Sequence, residues 1–190
     1  RRALVIGAET MSRILDWEDR STCVLFGDGA GAVILEADDS LSVDERGIID
    51  LQMNADGALI DMLHTTGGPS STQTVGLLQM AGKEVFRHAV EKMSGAVLTL
   101  LDRHGFSPDD VKWYIPHQAN QRSLAAVAAK LGAPAERFIS TVASHANTSA
   151  ASIPLALHHL EQTGELKRGD MVVMAGLGGG LAWGAMLARW

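Results

Sequence analysis

Apolar and polar positions along the chain form patterns that predict strands and helices in turn. Short apolar runs predict strands at residues 3–6, 22–26, 32–35, 48–53, 113–115, 138–142, 170–175 and 181–187. A helical period with helix-start and helix-stop signals predicts helices at residues 81–103, 124–131 and 147–163. From residue 48 onward the order is β-loop-α-β-α-β-α-β-β, which indicates a layered α/β protein.

Two connections interrupt this alternation. Residues 38–45 are charged, and they predict a boundary between two halves of the architecture, residues 1–38 and 39–190. Residues 54–79 are rich in Gly, Ser and Thr and have weak periodicity. A loop of this length inside a compact domain is unusual and is often functional.

The stretch from Trp113 to Arg122 concentrates polar residues that are capable of chemistry. Its apolar start predicts a strand that ends at Pro116, because proline cannot donate to a sheet ladder. His117 follows at once, and a helical period begins soon after it. His117 is therefore expected on a strand-to-helix corner, where α/β folds commonly place their sites.

Asn147 is expected at the start of another helix, on a second corner of the same kind. Such corners gather at one edge of a layered sheet, so the two side chains can converge. An imidazole and a carboxamide both offer an N–H to a developing oxyanion, and helix N-termini add positive potential there. A plain N-cap is the alternative for Asn147. The glycines at 178–180 offer further backbone amides, or form a bend without a ligand.

Residues 27–32 match the loose glycine pattern of dinucleotide-binding loops. That pattern requires a helix after the glycines, so that the helix N-terminus can bind the pyrophosphate. A β-branched strand follows instead. The sequence therefore predicts a tight turn between paired strands and no dinucleotide site.

The composition is that of an ordinary globular protein of 190 residues, with 46% hydrophobic and 20% charged residues. The net charge of −6 gives no electrostatic reason to expect nucleic acid or an anionic membrane as a partner. One cysteine excludes an internal disulfide and fits a cytoplasmic location. The chain enters an apolar strand without an initiator methionine, so we expect a further segment before Arg1.

Other candidates for chemistry are weaker. Cys23 is expected to be a buried core cysteine on a strand, because no helix N-terminus or cation beside it stabilises a thiolate. The remaining histidines have no metal-site spacing, so no metal is expected. Lys83, Arg87 and Arg122 form either an anion-binding rim or solvated surface charge.

Four motifs together resemble the β-ketoacyl-acyl-carrier-protein synthase III family, the thiolase-fold condensing enzymes that initiate bacterial type II fatty acid synthesis. They are residues 26–32, 116–120, 147–152 and 178–180 with 183–184, and the resemblance extends from residue 3 to residue 190. It implies a homodimer with a five-layer α-β-α-β-α architecture. Residues 39–190 then correspond to the C-terminal thiolase-like half, and residues 1–38 to the final strands of the N-terminal half.

The resemblance also implies roles for individual residues. Family members use a Cys-His-Asn triad, in which the cysteine takes an acyl group from acyl-CoA, and the histidine and asparagine act on malonyl-acyl-carrier-protein. By motif these two residues are His117 and Asn147, and Gly179 supplies an oxyanion-hole amide. The carrier-protein-binding segment comprises Gln118, Ala119, Asn120, Gln121 and Arg122, and the CoA and pantetheine tunnel comprises Arg20, Gly82, Phe86 and Asn120. No cofactor is implied, since coenzyme A enters as a thioester substrate.

The chain departs from the family pattern in one important respect. The nucleophilic cysteine of the family lies upstream of residue 3, and Cys23 does not match its motif. Our hypothesis is therefore a decarboxylative Claisen condensation that a missing or separate N-terminal segment completes. Leu177 stands where a phenylalanine often precedes the glycines, which leaves the acyl preference open. The alternatives are a quinolone, polyketide-starter or branched-chain-primed synthase on the same fold, and a non-catalytic half-fold that binds carrier protein or CoA.

Overall fold

A four-stranded sheet with strand order β3-β8-β7-β6 forms the centre of the fold. The computed structural model describes residues 1–42 and 44–190. The strands of this sheet are β3 (Gly47–Ala55), β6 (Trp113–Pro116), β7 (Met171–Gly178) and β8 (Ala182–Arg189). Strand β6 runs parallel to β7, whereas β8 is antiparallel to both β7 and β3. The carboxyl ends of β6 and β7 therefore lie side by side, and His117 directly follows β6.

Two smaller sheets and four α-helices complete the described chain. The small antiparallel sheets pair β1 (Arg2–Glu9) with β2 (Gly29–Glu36) and β4 (Leu63–Thr65) with β5 (Leu78–Met80). The helices are α1 (Gly82–Arg103), α2 (Gln121–Leu131), α3 (Val142–His145) and α4 (Ser152–Gln162). Among the described residues, no helix combines the length and apolar character needed to cross a membrane.

Helices cover both faces of the central sheet. On one face, Val97 and Leu100 of α1 and Val127 of α2 belong to one buried cluster with Val173 and Leu187 of the sheet. On the other face, α4 packs against the sheet through a second buried cluster, which includes Ile115, Leu157, Leu160 and Val172. Helix α4 also contacts β2. The layers are therefore helix, sheet, helix, sheet, which confirms the predicted layered α/β class.

Local sequence signals explain how α2 begins and ends. The Asn120 side chain accepts a hydrogen bond of 2.9 Å from the backbone N–H of Ser123, which satisfies a donor that the first turn leaves free. Gly132 ends the helix in the left-handed region at φ 65°, a conformation that a Cβ would disfavour. The corner that carries His117 is therefore followed by a helix with defined limits at both ends.

Glycines allow the β1–β2 sheet to pack directly on the segment that carries Asn147 and the start of α4. A Cβ on Gly7 would overlap the backbone carbonyl of Ala150, and a Cβ on Gly31 would lie 2.9 Å from Cβ of Pro154. A strand follows the glycine motif, as predicted. However, Gly29 and Gly31 lie within β2, so the prediction of a tight turn between paired strands is wrong.

Several predicted elements differ in the structure. Residues 22–25 form turns rather than a strand, and Phe26 makes a single bridge to Asn147, because the backbone at Leu25 and Gly27 pairs with Asn147 instead of with a strand neighbour. Residues 138–142 contribute one bridge, Tyr114 to Phe138, before α3 begins. The expected loop at 54–79 contains a 3₁₀ helix, strand β4 and the first two residues of β5.

The strand predicted at residues 3–6 is present as part of β1, but the prediction that it is buried is wrong. The Leu4 and Ile6 side chains are 62% and 61% exposed. The reason is the small size of the β1–β2 sheet. One of its faces packs on α4 and residues 148–151, and no described element covers the other.

Asp50 on β3 joins the central sheet to the end of α1. Hydrogen bonds from His104 at 2.9 Å and Arg103 at 2.7 Å lower the pKa of Asp50 from 3.8 to about 2. Because the folded pKa is depressed, this stabilisation is fully present above pH 3.8 and is lost as the pH falls through about 2.

Replacing Asp50 with Asn should therefore reduce stability at neutral pH, and the difference from the parent protein should shrink as the pH falls below about 4. Urea unfolding measured across the acid range checks this expectation. Asp39→Asn is the control, since the exposed Asp39 side chain makes no hydrogen bond or ion pair with the described residues. If the free energies of unfolding of the parent protein and Asp50→Asn differed by the same amount at every pH, the lowered pKa of Asp50 would be contradicted.

Candidate active site

A large cavity lies at the carboxyl ends of β6 and β7. Its volume is about 760 Å³, and its walls come from the β4–β5 sheet, α1, the corner after β6, residues 147–153 and the bend between β7 and β8. Apolar side chains dominate much of the wall, including Leu63, Leu78, Met80, Phe86 and Leu124. Apolar walls with a few polar groups are typical of small-molecule sites.

His117 lines this cavity from the β6–α2 corner. Its backbone N–H donates to the carbonyl of Ala175 at 2.7 Å, which fixes the corner to β7. Its Nδ1 lies 2.7 Å from Oγ of Ser152. Desolvation lowers the pKa of His117 to about 4, while a contact with the backbone carbonyl of Ser149 opposes this shift. The imidazole is therefore uncharged near neutral pH and carries one N–H.

Asn147 lines the same cavity and is 6% exposed. Its Oδ1 accepts a hydrogen bond of 3.0 Å from the backbone N–H of Ser149. A backbone N–H can only donate, so the carboxamide atom that faces it is the oxygen. The amide nitrogen of Asn147 is not used in this bond and remains available as a donor. Helix α4 begins at Ser152 with Ala151 as its N-cap residue, so Asn147 is not a plain N-cap of this helix.

The backbone on both sides of Asn147 adopts an uncommon conformation. Ala146 and Ser149 have positive φ angles of 58° and 50°, which residues with a Cβ rarely adopt. Backbone hydrogen bonds hold the segment in place, since Asn147 donates to Leu25 and accepts from Gly27, both at 2.9 Å. Strain held by surrounding structure clusters at functional sites, and its presence here supports a role for Asn147.

The glycine bend between β7 and β8 forms another part of the wall. Gly178 and Gly179 line the cavity. A Cβ on Gly179 would lie 2.8 Å from the carbonyl oxygen of Leu63, so only glycine lets the bend approach β4 this closely. The expected oxyanion-hole residue thus borders the same cavity as His117 and Asn147.

The remaining predicted site residues fall into two groups. Ala119, Asn120, Gly82 and Phe86 line the cavity. Gln121, Arg122 and Arg20 are exposed and lie outside the lining.

Gln118 differs from its expected place on a carrier-protein-binding surface. It is 0% exposed, its Nε2 donates to Pro116 and Ile139 carbonyls, and its Oε1 accepts from Thr141. A side chain buried in this way is not presented to a partner protein. Its amide instead connects the His117 corner with the segment that leads to α3.

The sequence patterns did not identify several residues of the site. Leu63 and His64 line the cavity from a segment that was expected to be loop. Ser152, which contacts His117, lies inside a motif of the family resemblance but had no expected role. Their only sequence signals were the apolar alternation around Leu63 and the polar residue at the start of a helix.

Cys23 lies on a turn and is half-buried, so the expectation of a buried strand cysteine is wrong. It is not among the residues that line the cavity. Within residues 1–42 and 44–190, no group of His, Cys, Asp and Glu has an arrangement that could hold a metal ion.

Proteins of one known family resemble this chain in sequence. Residues 1–57 match a family model described as 3-oxoacyl-[acyl-carrier-protein (ACP)] synthase III, and residues 101–190 match the model for the C-terminal part of the same family. A β-ketoacyl-[acyl-carrier-protein] synthase III from Erythrobacter litoralis is 56% identical over 190 residues, covering 100% of this chain and 59% of the relative.

Solved structures give the same result. The 3-oxoacyl-(acyl carrier protein) synthase III from Pseudomonas aeruginosa PAO1 superposes with a TM-score of 0.92 at 45% identity, over 100% of this chain and 59% of that structure. A priming β-ketosynthase of the R1128 polyketide pathway superposes with a TM-score of 0.87 at 34% identity, over 100% of this chain and 57% of that one.

The chain spans about 59% of the length of the curated relatives that it matches. Both family models align in the expected order, and the structural match extends over the whole chain. The chain therefore belongs to the 3-oxoacyl-[acyl-carrier-protein] synthase III family and has its thiolase-like fold.

Proposed function

We propose that the protein containing this chain condenses an acyl-CoA primer with malonyl-acyl-carrier-protein and so initiates type II fatty acid synthesis. One observation carries the proposal. The uncharged imidazole of His117 and the amide of Asn147 line one cavity, and each side chain carries an N–H donor. Two such donors are suited to one thioester oxygen that gains negative charge.

The chemistry follows from these two donors. Loss of carbon dioxide from the malonyl thioester leaves an electron pair that is delocalised onto the thioester oxygen as an enolate. His117 and Asn147 stabilise that oxygen by donating hydrogen bonds to it. The uncharged imidazole keeps its proton, so no proton is transferred to the enolate oxygen. The enolate carbon then attacks the acyl carbonyl of an acyl-cysteine, and the cysteine thiolate leaves as the β-ketoacyl product forms.

The nucleophilic cysteine belongs, in this proposal, to an N-terminal segment of the same enzyme. Cys23 is outside the cavity lining and has no role in the scheme. Gly179 borders the cavity, and we assign its amide to the oxyanion formed on the acyl group. Gly82, Phe86 and Asn120 line the wall along which we place the pantetheine arm, whereas the exposed Arg20 is placed at its entrance. The homodimer, which the family resemblance implies, and the cytoplasmic location, which the single cysteine favours, remain predictions.

The test uses the completed enzyme, meaning this chain together with the N-terminal segment that supplies the cysteine. Supplied with acetyl-CoA and malonyl-acyl-carrier-protein, it should form acetoacetyl-acyl-carrier-protein, and intact-mass analysis should find the acetyl group on a cysteine outside this chain. Binding of carrier protein or CoA without any product would favour the non-catalytic half-fold. A preference for long, branched or aromatic primers would favour a starter synthase of the polyketide type.

Arg122 provides a separate prediction about the carrier protein. It is exposed at the start of α2, beside the corner that leads into the cavity. We assign it to the acidic surface of the carrier protein, so Arg122→Glu should raise the KM for malonyl-acyl-carrier-protein several-fold by electrostatic repulsion. The KM for malonyl-CoA, which lacks the carrier protein, should not change. Lys130→Glu, the same charge reversal at the far end of α2, is the control. An equal effect on both substrates would contradict the assignment.

A further inference from the structure

Ser152 lies between the two corners that carry the proposed catalytic side chains. It is the first residue of α4 and is 1% exposed. Its Oγ lies 2.7 Å from Nδ1 of His117, and it accepts a hydrogen bond of 3.3 Å from the backbone N–H of Gln118. The hydroxyl therefore contacts the imidazole at Nδ1.

The direction of the short hydrogen bond can be worked out from its partners. A serine hydroxyl has one proton to donate and lone pairs to accept with. The N–H of Gln118 can only donate, so it uses a lone pair of Oγ and leaves the hydroxyl proton free. Among the described residues, Oγ has no other hydrogen-bond partner than Nδ1 of His117. A hydroxyl proton directed to Nδ1 gives both groups a partner, whereas an Nδ1–H directed to Oγ would leave the buried hydroxyl proton without one among the described residues, which costs free energy. With Nδ1 as the acceptor, Nε2–H is the ring donor left for the Ser149 carbonyl or a bound substrate oxygen.

We propose that Ser152 is a positioning residue that holds His117 in the tautomer with its proton on Nε2. In a neutral imidazole only one ring nitrogen carries the proton, so an Nδ1 that accepts leaves Nε2–H as the donor. The catalytic consequence rests on the proposed function, because it is the Nε2–H that reaches the thioester oxygen. The tautomer itself does not depend on that function.

Gln118 supports this arrangement from the other side. Its carboxamide donates to the carbonyl of Pro116 at 2.8 Å and accepts from the N–H of Thr141 at 2.8 Å. These bonds fix the backbone of the residue whose N–H occupies the Ser152 lone pair. The orientation of the Ser152 hydroxyl is thus determined by a buried amide that does not touch the cavity.

The direct test is NMR of the completed enzyme labelled with ¹⁵N in its histidine rings. The ring nitrogen shifts of His117 should be those of a protonated Nε2 and an unprotonated Nδ1. In Ser152→Ala, they should move toward a mixture of the two tautomers. A proton on Nδ1 in the parent protein, or unchanged shifts in the variant, would overturn the proposal. If Ser152→Ala does not fold, the spectrum of the parent protein still decides.

Kinetics provide a second measurement. Ser152→Ala should lower kcat for malonyl decarboxylation by about 10- to 100-fold, the range typical for residues that orient a metal-binding histidine through a hydrogen bond, with little change in KM. Ser94→Ala is the matched control, since Ser94 is a buried helical serine whose Oγ has no hydrogen-bond partner among the described residues. An unchanged kcat together with a shifted tautomer would contradict the proposed catalytic role of His117. The conclusion that Ser152 sets the tautomer would still hold.

Discussion

Replacing His117 with Ala in the completed enzyme should lower the rate of malonyl decarboxylation by a factor of about 10² to 10³. That is the usual cost of losing one preorganised donor to an oxyanion. The imidazole is held by Ser152 and by the backbone bond to Ala175, so it needs no reorganisation when the enolate forms. The measurement is release of carbon dioxide from malonyl-acyl-carrier-protein under saturating conditions.

A control variant and a second measured step distinguish a loss of the His117 donor from a general loss of structure. His159→Ala is the control, because His159 is exposed on α4 and lies outside the cavity. Transfer of the primer acyl group to the cysteine is measured in the same variants. It should continue in His117→Ala, since that step does not use the malonyl carbonyl. Decarboxylation at the parent rate in His117→Ala would contradict the proposed role of His117 as a donor to the enolate oxygen.

Replacing Gly7 with Ala should destabilise the fold and also impair the site. The new Cβ would overlap the Ala150 carbonyl and lie 2.9 Å from the backbone nitrogen of Ala151, and both of these atoms belong to the main chain. Main-chain atoms cannot move aside as a flexible side chain can, so β1 and residues 150–151 must separate. We expect the free energy of unfolding to fall by about 1–3 kcal/mol, the usual cost of overpacking.

Urea denaturation with linear extrapolation measures this change. Gly95→Ala is the matched control, because a Cβ on Gly95 has no heavy atom within 4 Å and the residue lies exposed inside α1. It should raise stability by about 0.5–1 kcal/mol through its helix propensity. Gly7→Ala should also slow decarboxylation, since the displaced segment includes the neighbours of Asn147. Equal stabilities of the two variants would contradict the close packing of Gly7 on Ala150 and Ala151.

Periodic segments of this chain could be predicted from sequence. The helix expected at 81–103 is present as Gly82–Arg103, because its apolar spacing alone specifies a buried face. The placement of His117 on a strand-to-helix corner was equally predictable from Pro116 and the helical period that follows. Both inferences depend only on residues close to one another in the chain.

The failures have a common physical cause in contacts between distant residues. The apolar residues Leu25 and Phe26 were expected on a strand, but they line the cavity, and the backbone beside them pairs with Asn147. Gln118 was expected at a surface because the family resemblance places it in the carrier-protein-binding segment, yet three hydrogen bonds satisfy it in a buried place. No local pattern encodes such partners.

The β4–β5 sheet has a consequence for how substrate range can change in this family. It is a two-stranded element separate from the central sheet, and it contributes Leu63, His64 and Leu78 to the cavity wall. The side chains assigned to decarboxylation lie on other segments, at 117 and 147, whereas the Gly179 bend packs on the Leu63 carbonyl of β4. Side-chain changes in β4 and β5 that keep this backbone contact can therefore alter which primers fit while His117 and Asn147 keep their positions, so that selectivity and decarboxylation can evolve as separate traits.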